Sequence, residues 1–177
     1  MNWPSQSTRV SVVDINSFEF EKTITVSLNP NYIYSDSDGD VYVICMSDYS
    51  DDKSYIVQRI DAKTDEVKTV EGIKAYKMTV ADDIAYIMFN DYYANEVKYY
   101  KYDLKNEKLL SDNFITDGTV VSSPNGIGVD PVTGDIYVGK SNKKNNGDVY
   151  VFSSEGKLKS QFETLPYPAD FVFMTNK

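Results

Sequence analysis

The stretch Asp36-Ser37-Asp38-Gly39-Asp40 sets three carboxylates at alternate positions beside a glycine, the pattern in which hard oxygens gather round a hard cation such as calcium. The twelfth position counted from Asp36 is Ser47, where a full calcium loop carries a bidentate glutamate, and Asp-Gly is also ordinary turn chemistry. Two readings stand: a plain turn, or a calcium site made of Asp36, Asp38 and Asp40. A second set of candidates lies in polar loops that hold Asp48, Tyr49, Asp51 and Asp52, then Asp91, Tyr92 and Tyr93, then Asn142, Lys143 and Asn145. Exposed tyrosine beside carboxylates or amides offers flat apolar area with a polar tip, which suits a carbohydrate or peptide ligand. Asp48, Tyr49, Asp91, Tyr92, Tyr93 and Asn142 are therefore the ligand-binding candidates, the alternative being the solvated loops of a tyrosine-rich chain.

The chain contains no histidine, so it lacks the usual general base near neutral pH and the commonest metal ligand. Carboxylate pairs could still do acid–base work, but with 27 acidic residues no motif picks a pair out, and no catalytic residue is assigned. A net charge of −9 repels phosphate backbones and anionic lipid, which argues against nucleic acid as a partner. The single cysteine, Cys45, follows Tyr42-Val43-Ile44 and reads as a small buried hydrophobe. No run reaches transmembrane length, and Met1-Asn2-Trp3-Pro4 has neither the charged nor the apolar part of a signal peptide, so an exported protein would carry its leader outside this sequence.

The elements that must position these residues repeat. From Pro124 to Phe162 short apolar runs alternate with turn chemistry, which predicts a four-stranded antiparallel meander the size of a propeller blade. Arg9 to Asp14, Val57 to Asp61, Tyr99 to Asp103 and Val149 to Ser153 superpose as third strands, their closing residues 47, 42 and 50 positions apart. Val41-Tyr42-Val43, Ala85-Tyr86-Ile87 and Ile136-Tyr137-Val138 mark the second strands. Val13, Ile60, Tyr102 and Phe152 occupy one strand face, and Val10, Val57, Tyr99 and Val149 the other. Both faces are apolar, as in a sheet sandwiched between two others, and all of these residues are expected to be buried. The fold class is all-β, a β-propeller of four-stranded antiparallel blades, incomplete in this chain. The predicted order is a half blade over 8–26, blades over 30–71, 73–117 and 124–163, and a closing strand over 168–174.

Ser11-Val12-Val13-Asp14 with Lys22-Thr23-Ile24 and Pro30, and Pro124-Asn125-Gly126-Ile127-Gly128-Val129-Asp130 with Gly134-Asp135-Ile136-Tyr137-Val138, resemble the YVTN-type (YncE-like) propeller repeat. The opening Asn2-Trp3 resembles the tail of its Tyr-Val-x-Asn strand. Gly139-Lys140 replaces Thr-Asn of the repeat, and Lys74-Ala75 stands where a proline is expected. The resemblance implies a ring of about seven or eight blades, found mostly in exported or surface-attached bacterial proteins, and implies no catalytic motif. Two classes of function follow. One is a non-enzymatic scaffold of the cell envelope, in the periplasm or at the surface, that binds a ligand or protein partner on its tyrosine-bearing loops. The other is an enzyme akin to propeller lactonases or lyases, using carboxylates or residues of blades outside this chain. In either case the ring is completed by further blades or by a second copy of the chain.

Overall fold

The computed structural model describes residues 7–47, 54–91, 96–142 and 144–174, and among them every regular element is a β-strand. The chain divides into two compact units, Met1–Ala75 and Tyr76–Lys177.

In the first unit β1 (Arg9–Val13) and β2 (Phe20–Thr25) form a two-stranded hairpin. They are followed by β3 (Pro30–Ser35), β4 (Val41–Cys45), β5 (Ile56–Ile60) and β6 (Val67–Lys74), an antiparallel meander in strict chain order. Val43, Cys45 and Ile60 form one apolar cluster with Val26, against which Val10 and Ile24 of the hairpin pack. Gln58 ties the two sheets together: its amide oxygen accepts from Ser27 N at 2.6 Å and its amide nitrogen donates to Thr69 Oγ1 at 3.3 Å. Cys45 is fully buried as expected, and burial pushes its thiol up to about 11.

The second unit holds two more meanders. β7 (Lys77–Ala81), β8 (Ile84–Asp91), β9 (Glu96–Asp103) and β10 (Lys108–Ser111) form one. β11 (Pro124–Val129), β12 (Ile136–Lys140), β13 (Gly147–Phe152) and β14 (Leu158–Thr164) form the other. Tyr86, Met88 and Tyr99 of the first sheet and Ile127, Ile136, Val138, Tyr150 and Phe152 of the second share a single buried core.

The hairpins repeat one turn. The Oδ1 atoms of Asp14, Asp61 and Asp130 accept the amides two and three residues on, at 2.7–3.4 Å. The residue four positions on then donates to the aspartate carbonyl at 2.8–3.0 Å. That fourth residue takes the left-handed conformation, φ 56° at Phe18, 60° at Asp65 and 71° at Gly134. An aspartate closing a strand thus supplies its own turn, which is why it recurs at the repeat boundary.

Three expectations need correction or completion. Of the residues expected between blades, Ile60, Tyr102, Phe152, Val57, Tyr99 and Val149 are buried, but Val13 is 51% exposed, because only the Val10 face of its hairpin meets another sheet. The strand expected over 108–115 ends at Ser111, where side-chain hydrogen bonds turn the backbone away. Residues 171–174 form no ladder with the described strands. They lie instead against the second sheet of their own unit, with Phe171 and Phe173 on the ring of Tyr137 at centroid distances of 5.8 and 5.1 Å.

That docking explains the glycines of β11 and β12. Gly126, Gly128, Gly139 and Tyr137 share one sheet face by register. A Cβ at Gly126 would stand 2.6 Å from the carbonyl oxygens of Pro168 and Ala169, at Gly128 2.7 Å from Phe171 Cβ, and at Gly139 2.5 Å from Pro168 O. The sheet offers a flat trough in which the returning chain rests on bare backbone. Lys77 Nζ and Asn125 Nδ2 hold the segment through Ala169 O at 2.7 Å and Pro168 O at 3.3 Å.

Candidate functional site

The connection 112–123 between β10 and β11 is where the second unit departs from the repeat. The corresponding connections from β6 to β7 and from β14 to Pro168 span only residues 75–76 and 165–167. Ser111 Oγ accepts Asn113 N and donates to Asn113 O, and Asn113 Oδ1 accepts Ile115 N at 3.0 Å, so short side chains capture the backbone that a fourth strand would have used. Phe114 N then donates to Tyr99 O at 2.8 Å, and its ring meets Tyr86 and Tyr99 edge-on at 5.6 and 5.4 Å. Phe114, Ile115 and Val121 are all buried in the core between the two sheets.

The rest of the connection is tied to the β13–β14 hairpin. Thr116 N and Oγ1 donate to Gly156 O and Glu155 O at 2.9 and 2.8 Å, and Asp117 Oδ2 accepts Leu158 N at 2.7 Å. Gly156 has no side chain because Phe114 O occupies the place of its Cβ. The hydrogen bond from Leu158 N is the largest cause holding the Asp117 carboxyl below the ordinary carboxylate range.

Between this anchored connection and β9 lies an open groove of about 310 Å³. Val97, Tyr99, Ile115 and Val121 form its apolar wall, and Val120, 81% exposed, stands at its lip. Asn113 and Ser122 add polar groups, the Asn113 amide N–H and the Ser122 hydroxyl having no partner among the described residues. Burial pushes the Tyr99 hydroxyl far above its ordinary pKa, and it donates to Val121 O at 2.8 Å. It therefore braces the wall rather than exchanging protons. The groove offers apolar area, an amide and a hydroxyl, which is binding chemistry.

The calcium candidates are not brought together around an empty centre. Asp36 Oδ1 accepts Asp38 N and Asp40 N, both at 3.0 Å, while Asp40 is ion-paired with Arg59 and accepts Ala62 N at 2.8 Å. The described residues include no group of three or more histidine, cysteine, aspartate or glutamate side chains that could hold a metal ion. Of the loop candidates, Asp48, Tyr49, Tyr92 and Tyr93 lie outside the described residues, as do Asp51, Asp52 and Lys143. Asp91 ends β8 opposite Glu96, its side chain outside the description. Asn142 is described and turned inward on its own loop: Nδ2 donates to Asn146 O at 2.8 Å and to Asp148 Oδ2 at 3.1 Å.

The groove was not among the expectations. Its signal was the spacing of 50 residues between Asp103 and Ser153 against 42 between Asp61 and Asp103. A surplus of that size in an otherwise regular repeat marks an inserted loop, and long loops in compact domains commonly carry function.

No protein-family model matches the chain, and no curated protein matches it either. Solved structures do. The chain is similar to hydrazine synthase of Kuenenia stuttgartiensis, at 15% identity and a TM-score of 0.62, over 83% of this chain and 45% of the other. It is similar to the Dos1 propeller, at 12% identity and 0.64, over 92% and 44%. It is also similar to the β-propeller domain of the trilobed protease from Pyrococcus furiosus, at 10% and 0.52, over 77% and 43%. At such identities the likeness shows the fold alone, a β-propeller with four-stranded antiparallel blades. The chain spans less than half the length of these structures.

Proposed function

We propose that this chain is part of a non-enzymatic propeller scaffold that binds a ligand or protein partner at the groove beside β9. The observation that carries the reading is the 112–123 connection: it is anchored in the core by Phe114, Ile115 and Val121, yet leaves an open cleft beside it with an unpartnered amide and hydroxyl. An apolar cleft with a few convergent polar groups is the usual form of a binding site. The tyrosine-bearing loops around Tyr49, Tyr92 and Tyr93 are proposed as further contact surfaces of their own units. The test is a screen of a glycan array and a random peptide library against the purified chain and its Ser122→Trp variant, which fills the groove. Ligands lost in the variant support the reading. Equal signals from both proteins, or hydrolysis of a lactone by the wild-type chain, would overturn it.

We further propose that the scaffold is of the YVTN type and works in the cell envelope, with its ring completed by further blades or by a second copy. The proline-opened segments at Pro30, Pro124 and Pro168 and the aspartate-closed strand at Asp14 support this. Light scattering separates the two modes of completion, since only the second makes the 177-residue chain a dimer.

A further inference from the structure

The outer edge of β9 is only half covered. β9 pairs with β8 along its whole length, from Asp103 opposite Ile84 to Glu96 opposite Asp91, but with β10 only at Lys101, Tyr102 and Asp103. In the neighbouring sheet β13 is covered from Gly147 to Phe152 by β14. Because Tyr99 O accepts Phe114 N from the outer side, Tyr99 presents its backbone groups away from β8. Backbone direction alternates along a strand, so Val97 also presents its N–H and C=O outward. No described strand meets them. An unpaired strand edge is a template for another strand, and here it borders the groove, with Val97 and Tyr99 lining both.

The charge around this edge has one sign to spare. Glu96 and Asp112 are exposed beside it, and both act on Tyr100 in the same direction. Lys98, the cation there, is ion-paired with Glu96 at 3.2 Å, whereas Asp112 has no hydrogen bond or ion pair among the described residues. The chain as a whole carries −9. A visitor that pairs with a backbone edge, fills an apolar groove and meets a spare carboxylate is an extended peptide with a basic residue.

We propose that the open edge of β9 at Glu96–Tyr99 takes an extended segment of a partner protein as an added β-strand, which seats one large apolar side chain in the groove and sets a lysine or arginine beside Asp112. This rests on the groove being a binding site, and it names the partner class for that site. The mode is strand addition, in which main-chain hydrogen bonds supply affinity and a side-chain pocket supplies selectivity. A groove of about 310 Å³ is at the small end of ligand clefts and suits one side chain better than a sugar chain.

The experiment measures fluorescence anisotropy of a short labelled peptide of alternating threonine and valine, with a central leucine and lysine ends, against the full chain. Its counterparts carry proline in place of the central residue, or glutamate at the ends. The lysine-ended peptide is expected to bind at least about tenfold tighter than either counterpart. Asp112→Lys is expected to remove the preference for lysine over glutamate, and Ser122→Trp to weaken binding about tenfold, with the fold of each variant checked by circular dichroism. Protection of the Val97 amide from hydrogen exchange on addition of the peptide is the readout that a merely electrostatic contact would not give. Binding equal to that of the proline peptide, or an unprotected Val97 amide, would overturn strand addition. If glycan-array signals are lost in Ser122→Trp while no peptide binds, the groove stands as a site and the peptide proposal falls.

Discussion

The two sheets of the second unit start from the same plan and differ in the fourth strand. β14 covers β13 over its full length, whereas β10 stops at Ser111 after pairing with three residues of β9. Where the repeat is kept, a strand edge is closed. Where it is broken, the chain spends the extra residues on Phe114, Ile115 and Val121 in the core and on the walls of a groove. Repetition builds the core, and departure from it builds a place for something else to bind.

The largest expected effect compares two equivalent repeat positions. Phe152→Ala removes a fully buried ring and is expected to cost about 3–5 kcal/mol in urea unfolding. Val13→Ala, at the same repeat position but 51% exposed, should change stability by no more than about 0.5 kcal/mol. Equal costs would mean that the outer hairpin face is covered as the inner sheets are.

Next comes the glycine trough. Gly128→Ala places a methyl group 2.7 Å from Phe171 Cβ, and overpacking of this kind is expected to cost about 1–3 kcal/mol. Limited proteolysis should then cut first within 165–174. Unchanged protection of that segment would show that it is not held by the bare backbone of β11.

A smaller gain is expected at Phe18, which is 80% exposed and holds φ at 56°. Asparagine tolerates the left-handed conformation better than phenylalanine, so Phe18→Asn should raise stability by up to about 1 kcal/mol. A loss measured by thermal unfolding would mean that the Phe18 ring does more than the turn requires.

The turn aspartates also set the response to acid. Hydrogen bonds, from Ser17 N to Asp14, Thr64 N to Asp61, the Asn106 side chain to Asp103 and Val132 N to Asp130, hold these carboxyls below their ordinary range. A folded pKa below the unfolded one contributes stability that is present above the unfolded value of about 3.9 and is lost as pH falls through the folded value. With no histidine in the chain, stability should be nearly flat from about pH 5 to 8 and decline below about pH 4. A transition near pH 6 in the unfolding midpoint would contradict this. Asp130→Asn should flatten the acid limb slightly.

The sheets were legible because strand faces and turn chemistry are local. Val-Tyr-Val runs and strand-closing aspartates mark each meander whatever packs on it. The exposure of Val13 was not legible, since its residue type says what a strand tolerates and not whether a second sheet lies over it. Gly139 read as a departure from a repeat and is a close contact with Pro168, information held by a segment some 30 residues away. The groove left its trace only as surplus spacing. Its walls come from residues of ordinary type, Val97, Ile115 and Val121, which gather only once the fourth strand has stopped early.

All four sheets are ordered strictly along the chain, with each strand paired to its immediate neighbour in sequence. Every ladder therefore closes a short loop, and loop-closure entropy rises with length, so each meander can zip up hairpin by hairpin. For an all-β protein this is a low contact order, which favours fast folding and leaves few long-lived unpaired edges on the way. During synthesis each meander can form as soon as its own strands have emerged, whereas the trough of β11 and β12 is filled only when residues 165–174 follow.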